Sequence, residues 1–266
     1  MQKYKKKAKF RARIQLFIIN LQTKEEKTTV QTNKMSNSFF RFKRFCIHHD
    51  CCAMKVGTDG VLLGAWGCVE GKRILDVGTG TGLIALMAAQ RNPEAIVLGI
   101  DIDEQAVFQA QENIAESPFN KRISCILQDV LTFQSETTFD AILCNPPFFT
   151  EDTMPVDTVR ALARNNKSLP FSELIPKVAS LLTTKGTFSV IIPCEQMQEF
   201  IGLCLAYGLH LSRRCYVHTV ARKPARRTLL TFAVEKVQSS SDSLFLLTED
   251  GNRSQAYKEL TEAFYL

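Results

Sequence analysis

The sequence predicts an α/β fold, a mainly parallel sheet with helices on both faces. Three observations carry this. From Lys72 onward, short apolar runs alternate with stretches of helical period. The 266 residues, 45% of them hydrophobic, suffice to bury one full core. No internal repeat points to a solenoid or propeller instead.

Each element can be justified in chain order. RILDV (73–77) is a short β-branched and apolar run that breaks at glycines, and LIALMAAQ (83–90) reads as a helix. AIVLGID (95–101) is the second strand. In DEQAVFQAQENIAES (103–117), Ala106, Ala110 and Ile114 recur on one helical face. RISCIL (122–127) and FDAILC (139–144) are strands three and four. After a polar loop, FSELIPKVASLL (171–182) reads as a helix and GTFSVII (186–192) as a fifth strand. EQMQEFIGLCLAYG (195–208) is the next helix. Two further runs, LSRRCYV (211–217) and RTLLTFAVE (227–235), flank the basic loop HTVARKPAR. A short apolar run, LFLL (244–247), and an amphipathic helix in SQAYKELTEAFYL complete the pattern.

Ahead of these elements lies a basic leader, with a domain expected over 39–266 and the leader over 1–38. Residues 1–44 carry 13 Lys/Arg and 2 Glu, so the net charge of +6 hides a mildly acidic remainder. The leader has no sustained amphipathic period and is expected to be disordered, either as an RNA-binding arm or as sequence upstream of a true start at Met35. LFII (16–19) is too short for a signal-peptide core. No run approaches the roughly 18 apolar residues of a bilayer span, so a cytoplasmic protein without a membrane partner is expected. Nine cysteines form no CxxC pair, and Cys125, Cys144 and Cys204 sit in apolar runs, the pattern of reduced core thiols. HHDCC (48–52) gathers ligand-type residues. Sequence neighbours rarely converge on one ion and no second cluster follows, so no metal is expected.

The chemistry concentrates at two turns. LDVGTGTGLIAL (75–86) places Gly78, Thr79, Gly80 and Gly82 between a strand and a helix, where backbone can approach a ligand closely. Asp101 ends the next strand, suited to accept both hydroxyls of a ribose. A dinucleotide could use Gly80, Gly82 and Ala85 as G-x-G-x-x-A. S-adenosylmethionine fits the more restrictive D-x-G-x-G-x-G. That pattern also explains Asp76, which would orient the glycine loop or attract the cationic methionine end. Asp129, after strand three, would accept from the adenine amine of the cofactor or cap the short segment VLTF.

The second turn is CNPPFF (144–149). Asn145 leaves strand four at its carboxyl end, where open parallel sheets bind ligands. Pro146 and Pro147 remove N–H donors and hold a rigid turn. The Asn145 side-chain oxygen and the Pro146 carbonyl then offer two acceptors to a planar NH₂ group. Two such bonds would favour a pyramidal nitrogen whose lone pair can attack a sulfonium methyl, with Phe148 stacking on the base. The plainer alternative is a proline-terminated strand.

With these motifs the sequence resembles class I methyltransferases carrying an N-P-P-[FY] motif. More narrowly, CAMKVGTDGVLLGAW (52–66) and AYKELTEAFYL resemble the bacterial tRNA-Val adenine-N6 methyltransferases, over roughly residues 39–266. The resemblance implies a Rossmann-like fold with a seven-stranded, mostly parallel sheet. It also implies S-adenosylmethionine as cofactor and tRNA as substrate, methylated at adenine N6 beside the anticodon, by a monomer. Matched position by position, Asp76, Gly78, Thr79, Gly80, Gly82, Asp101 and Asp129 fall on the cofactor site and Asn145 to Phe148 on the catalytic turn. Lys55, Thr58 and Asp59 fall in an element packing over the methionine end, although Asp59 could equally cap a helix starting at Gly60. Phe148 departs from the tyrosine common in adenine-N6 enzymes. Guanine N2 in rRNA and a protein glutamine amide are therefore alternative targets, and a vestigial RNA-binding fold is the non-enzymatic one. A dehydrogenase would have no use for Asn-Pro-Pro-Phe. For the RNA strand, ARKPARR (221–227) offers Arg222, Lys223, Arg226 and Arg227 as phosphate contacts, with Arg160 and Arg164 beside the turn.

Overall fold

A computed structural model describes residues 38–49, 56–147 and 169–266. The fold begins with a small antiparallel hairpin, β1 (Phe39–Arg41) and β2 (Cys46–His48). Helix α1 (Thr58–Trp66) follows, then β3 (Arg73–Val77), α2 (Leu83–Arg91), β4 (Ile96–Asp101) and α3 (Glu104–Ala115). Next come β5 (Ile123–Leu127), β6 (Phe139–Cys144), α4 (Phe171–Leu181) and β7 (Leu182–Pro193). The chain continues through α5 (Met197–Ala206), β8 (His210–His218), β9 (Arg227–Ala233), β10 (Ser240–Phe245) and α6 (Gln255–Thr261).

The main sheet has eight strands in the order β10-β8-β9-β7-β6-β3-β4-β5, with β9 antiparallel to both of its neighbours and the other pairings parallel. Seven of these strands match the expected sheet; β10 is the addition. Its residues Ser240–Ser243 are polar and exposed because it is an edge strand with Leu244 alone buried. That left the apolar run starting at Leu244 as its visible trace. β7 also starts earlier than its apolar core. Leu182 pairs with Phe139 and Thr187 with Ala141, so an irregularity absorbs the intervening residues.

Alternate residues of the central strands face two hydrophobic clusters. Ile74, Val97, Ala141 and Leu143 meet α1, α2 and α3, while Leu75, Val77, Ile142 and Cys144 meet α4 and α5. Burial on both faces explains why these strands read as continuous apolar runs. The hairpin is clasped to the residues after α6. Lys43 N–H donates to the Phe264 carbonyl at 2.8 Å, Lys43 Nζ to the Glu262 carbonyl at 2.6 Å, and Phe42 stacks on Tyr265 at 5.9 Å. No helix among the described residues is long and apolar enough to cross a membrane.

Candidate functional site

The sheet order reverses at β3, whose neighbours are β4 on one side and β6 on the other. Such a switch point opens a crevice beyond the carboxyl ends of the strands. Register fixes what lies there. Val77 pairs with both Ile100 and Cys144, so the next residues, Gly78, Asp101 and Asn145, leave the sheet side by side. Asp101 pairs in turn with Leu127, which brings Asp129 to the same edge.

The glycine turn is bound from two sides. The Ile100 carbonyl accepts the amides of Gly78 at 2.9 Å and Thr79 at 3.0 Å. Asp101 accepts the Gly80 amide on Oδ2 at 2.9 Å and the Asp103 amide on Oδ1 at 3.0 Å. Behind the turn, the fully buried Asp76 accepts from the Thr79 hydroxyl at 2.7 Å and the Ala85 amide at 3.1 Å, both on Oδ2. Burial pushes the Asp76 carboxyl up to about 7, against the lowering effect of those two donors, and the nearby Asp101 raises it further. Asp76 therefore holds the loop to β3 and α2 from within.

Gly78 and Gly80 have φ of 68° and 54°, a region that favours glycine, and a Cβ added to either would meet nothing within 4 Å. The open space over both glycines, with the Asp101 carboxylate at its rim, forms a cradle that side chains would fill. It fits a ligand carrying vicinal hydroxyls. Asp129 accepts the Leu131 amide on Oδ1 at 2.9 Å, so it caps the following turn while standing at the same edge.

At the neighbouring strand end, Asn145 Oδ1 is buried and has no hydrogen-bond partner among the described residues. Pro146 and Pro147, which follow it without N–H groups, are buried and half-buried. A buried carbonyl oxygen without a donor is costly unless something beyond these residues supplies one. Among the described residues, the two prolines add carbonyl acceptors to this corner and no N–H donor.

The remaining expected site residues divide into three groups. Lys55, Phe148 and Arg164 lie outside the described residues, as do Arg160, the leader to residue 37 and most of HHDCC. Thr58 opens α1 and is exposed; the helix is capped by Gly57, not by Asp59. Asp59 Oδ2 instead accepts from Arg227 Nε at 2.9 Å, both side chains being about one-third exposed. Two residues expected to serve cofactor and RNA separately are therefore joined in one pair. Arg222, Lys223 and Arg226 are exposed on the loop after β8, with Arg222 Nε 3.6 Å from Glu249. β8 runs parallel to β7 in the sheet, so this loop leaves at the carboxyl edge that carries Asn145. Among the described residues, no group of three or more His, Cys, Asp or Glu could hold a metal. His48 faces Glu116 at 3.5 Å.

Residues 60–193 match the model of the methyltransferase small domain. A Phocaeicola vulgatus protein named tRNA1(Val) (adenine(37)-N6)-methyltransferase is 46% identical over 233 residues, covering 87% of this chain and 99% of its own. Proteins of the same name from Bacteroides thetaiotaomicron and Escherichia coli O157:H7 are 44% and 39% identical, covering 87% and 88% of this chain and 99% and 98% of theirs. Among solved structures, a predicted O-methyltransferase from Agrobacterium tumefaciens superposes with a TM-score of 0.61 at 17% identity, over 77% of this chain and 96% of that one. That likeness concerns the fold alone.

Proposed function

The chain belongs to the methyltransferase small-domain family, among relatives named tRNA1(Val) (adenine(37)-N6)-methyltransferase, and we propose that it methylates the exocyclic N6 of adenine 37 in that tRNA. The proposed methyl donor is S-adenosylmethionine, which supplies an electrophilic methyl group on a sulfonium and, once the methyl–sulfur bond breaks, leaves as S-adenosylhomocysteine. The single observation carrying the mechanism is the buried Oδ1 of Asn145, without a hydrogen-bond partner among the described residues, beside two donor-free prolines.

In this reading Asn145 Oδ1 accepts one N6 hydrogen and the Pro146 carbonyl the other. An aromatic amine delocalises its lone pair into the ring. Two acceptors out of line with that delocalisation favour a pyramidal nitrogen and orient its lone pair for attack. Neither acceptor needs to be a strong base, because the proton is lost once nitrogen carries the positive charge. Rate then comes from orientation and preorganised dipoles. Phe148 is proposed to stack on the base.

For the donor, Asp101 is proposed to accept ribose hydroxyls while its second lone pairs keep the Gly80 and Asp103 amides in place. The open glycines admit the ligand backbone-close, and Asp129 would receive its adenine amine. Lys55, Thr58 and Asp59 are proposed to flank its methionine end. Lys223 and Arg226 are proposed to meet tRNA phosphates, joined by Arg222, Arg227 and Arg164. The reading implies a cytoplasmic enzyme, where its tRNA is found.

The test is nucleoside mass spectrometry after incubating the protein and S-adenosylmethionine with tRNA and rRNA from a strain lacking the gene. N6-methyladenosine is expected in tRNA. N2-methylguanosine appearing in rRNA instead would replace this reading with the guanine one. Asn145→Ala should lower kcat by roughly 10²–10³ or more while calorimetry still detects donor binding.

A further inference from the structure

Asn113 sits on the inner face of α3, three residues after Ala110, and is fully buried. Its carboxamide is engaged at both ends. Oδ1 accepts the His48 amide at 2.8 Å, and Nδ2 donates to the His48 carbonyl at 3.0 Å and to the Thr81 carbonyl at 2.9 Å. His48 ends the β1–β2 hairpin; Thr81 belongs to the glycine turn. Thr81 lies between Gly80, whose amide is held by Asp101, and Gly82, the residue preceding α2. One turn earlier on the same helix face, Ala110 Cβ lies 3.4 Å from where a Gly82 Cβ would stand. Helix α3 thus touches the turn at two successive points, one by packing and one by a hydrogen bond.

We infer that Asn113 is a positioning residue for the donor-binding turn: it holds the turn from behind at Thr81 and ties it to the hairpin that leads into residues 50–59. The inference rests on the reading of the glycine turn as the S-adenosylmethionine site. The chemistry requires a carboxamide. One side chain must both accept from an amide and donate to two carbonyls, and of residues this size only asparagine does so. Aspartate, equal in volume, keeps the acceptor for His48 N–H and offers neither donor. Alanine removes all three bonds, one to the buried Thr81 carbonyl of the turn and two to the half-buried backbone of His48.

With Thr81 released, the peptide between Gly80 and Gly82 can rotate, because both flanking residues are glycines. The Gly80 amide then leaves Asp101, and the carboxylate expected to meet the ribose loses its orientation. Asn113 touches neither β6 nor the Asn145 turn in any of its bonds. Its loss should therefore act on donor affinity, with kcat and the KM for tRNA nearly unchanged.

The experiment compares Asn113→Ala and Asn113→Asp with Phe42→Leu, in the full chain. Phe42 stacks on Phe45 at 4.7 Å in the same hairpin region, and its ring contacts run to Phe40, Phe45 and Tyr265, so its truncation loosens the hairpin on the side of the C-terminal residues. Calorimetry gives the Kd for S-adenosylmethionine, thermal denaturation gives Tm, and steady-state kinetics separates KM for donor, KM for tRNA and kcat. Both Asn113 variants should raise the donor Kd and KM roughly tenfold, while Phe42→Leu, at a comparable loss of Tm, leaves them within about twofold. Unchanged donor affinity in the Asn113 variants overturns the inference, as does an equal loss in Phe42→Leu, which would mark a merely structural role. Should Asn113→Ala fail to fold, Asn113→Asp decides by the same comparison. A wild-type chain that binds no S-adenosylmethionine overturns the underlying reading of the turn as well, which tells the two failures apart.

Discussion

Asp76 is a carboxyl group with no exposure to water, held by two donors on one oxygen, while its Oδ1 has no hydrogen-bond partner among the described residues. Desolvation outweighs those donors, so the folded protein favours the neutral acid and the pKa rises from about 4 to about 7. The sign follows from linkage. The folded state binds the proton more tightly than the unfolded state, so the contribution to stability is full below about pH 4. It is lost as pH rises towards 7 and flat above. Measured as Tm against pH, wild type should lose ground to Asp76→Asn by on the order of 10 °C between pH 4 and 7; parallel curves would contradict it. The sequence announced Asp76 through its place before the glycines, and allowed two roles. Its burial behind Thr79 favours orientation of the loop over a direct charge on the ligand. Asn113 was harder to read. Its signal was a polar residue beside Ala106, Ala110 and Ile114 on the buried face of α3, and polarity alone does not say which backbone groups it will meet.

The elements were legible where burial shapes composition. Strands β3, β4, β6 and the core of β7 are packed on both faces, so each is a short apolar run punctuated by glycine, proline or a polar turn. The hairpin β1–β2 and edge strand β10 were not, because three-residue strands lack a period and an exposed edge needs no apolar alternation. Gly99 in β4 shows how an element serves the turn above it. A Cβ there would stand 2.8 Å from Thr79 Oγ1 and 3.0 Å from Thr79 Cβ, inside contact distance of the residue bonded to Asp76. β-Branched Thr79 has little rotamer freedom with which to yield. Gly99→Ala should therefore lower the unfolding midpoint in urea by an amount worth about 1–3 kcal/mol and weaken donor binding. An unaltered midpoint would mean that the turn shifts freely.

At the scale of the molecule, the sheet collects its chemistry along one edge. The glycine turn, Asp101, Asp129, Asn145 and the loop after β8 all lie at carboxyl ends of strands that run the same way. Residues 45–266 carry 20 Lys/Arg against 25 Asp/Glu, so exposed Lys223 and Arg226 at that edge stand out against a mildly acidic background. Replacing both with alanine should reduce the slope of log K for tRNA against log salt by roughly two and leave the donor Kd unmoved; filter binding across a salt series reads this directly. Neither the pairing of Arg227 with Asp59, 168 positions apart, nor the meeting of Asn113 with His48, 65 apart, could be seen in the sequence. Both depend on where the completed sheet brings distant segments. The clasp between Lys43 and residues 262–264 spans 219 positions and carries this furthest. While the protein is being translated, Phe45 can meet Phe119 early, yet Phe40 and Phe42 lack Tyr265 until the residues after α6 have left the ribosome. A nascent chain halted before Glu262 should hold Phe40 and Phe42 without their Tyr265 partner, and so be the form that chaperones recognise.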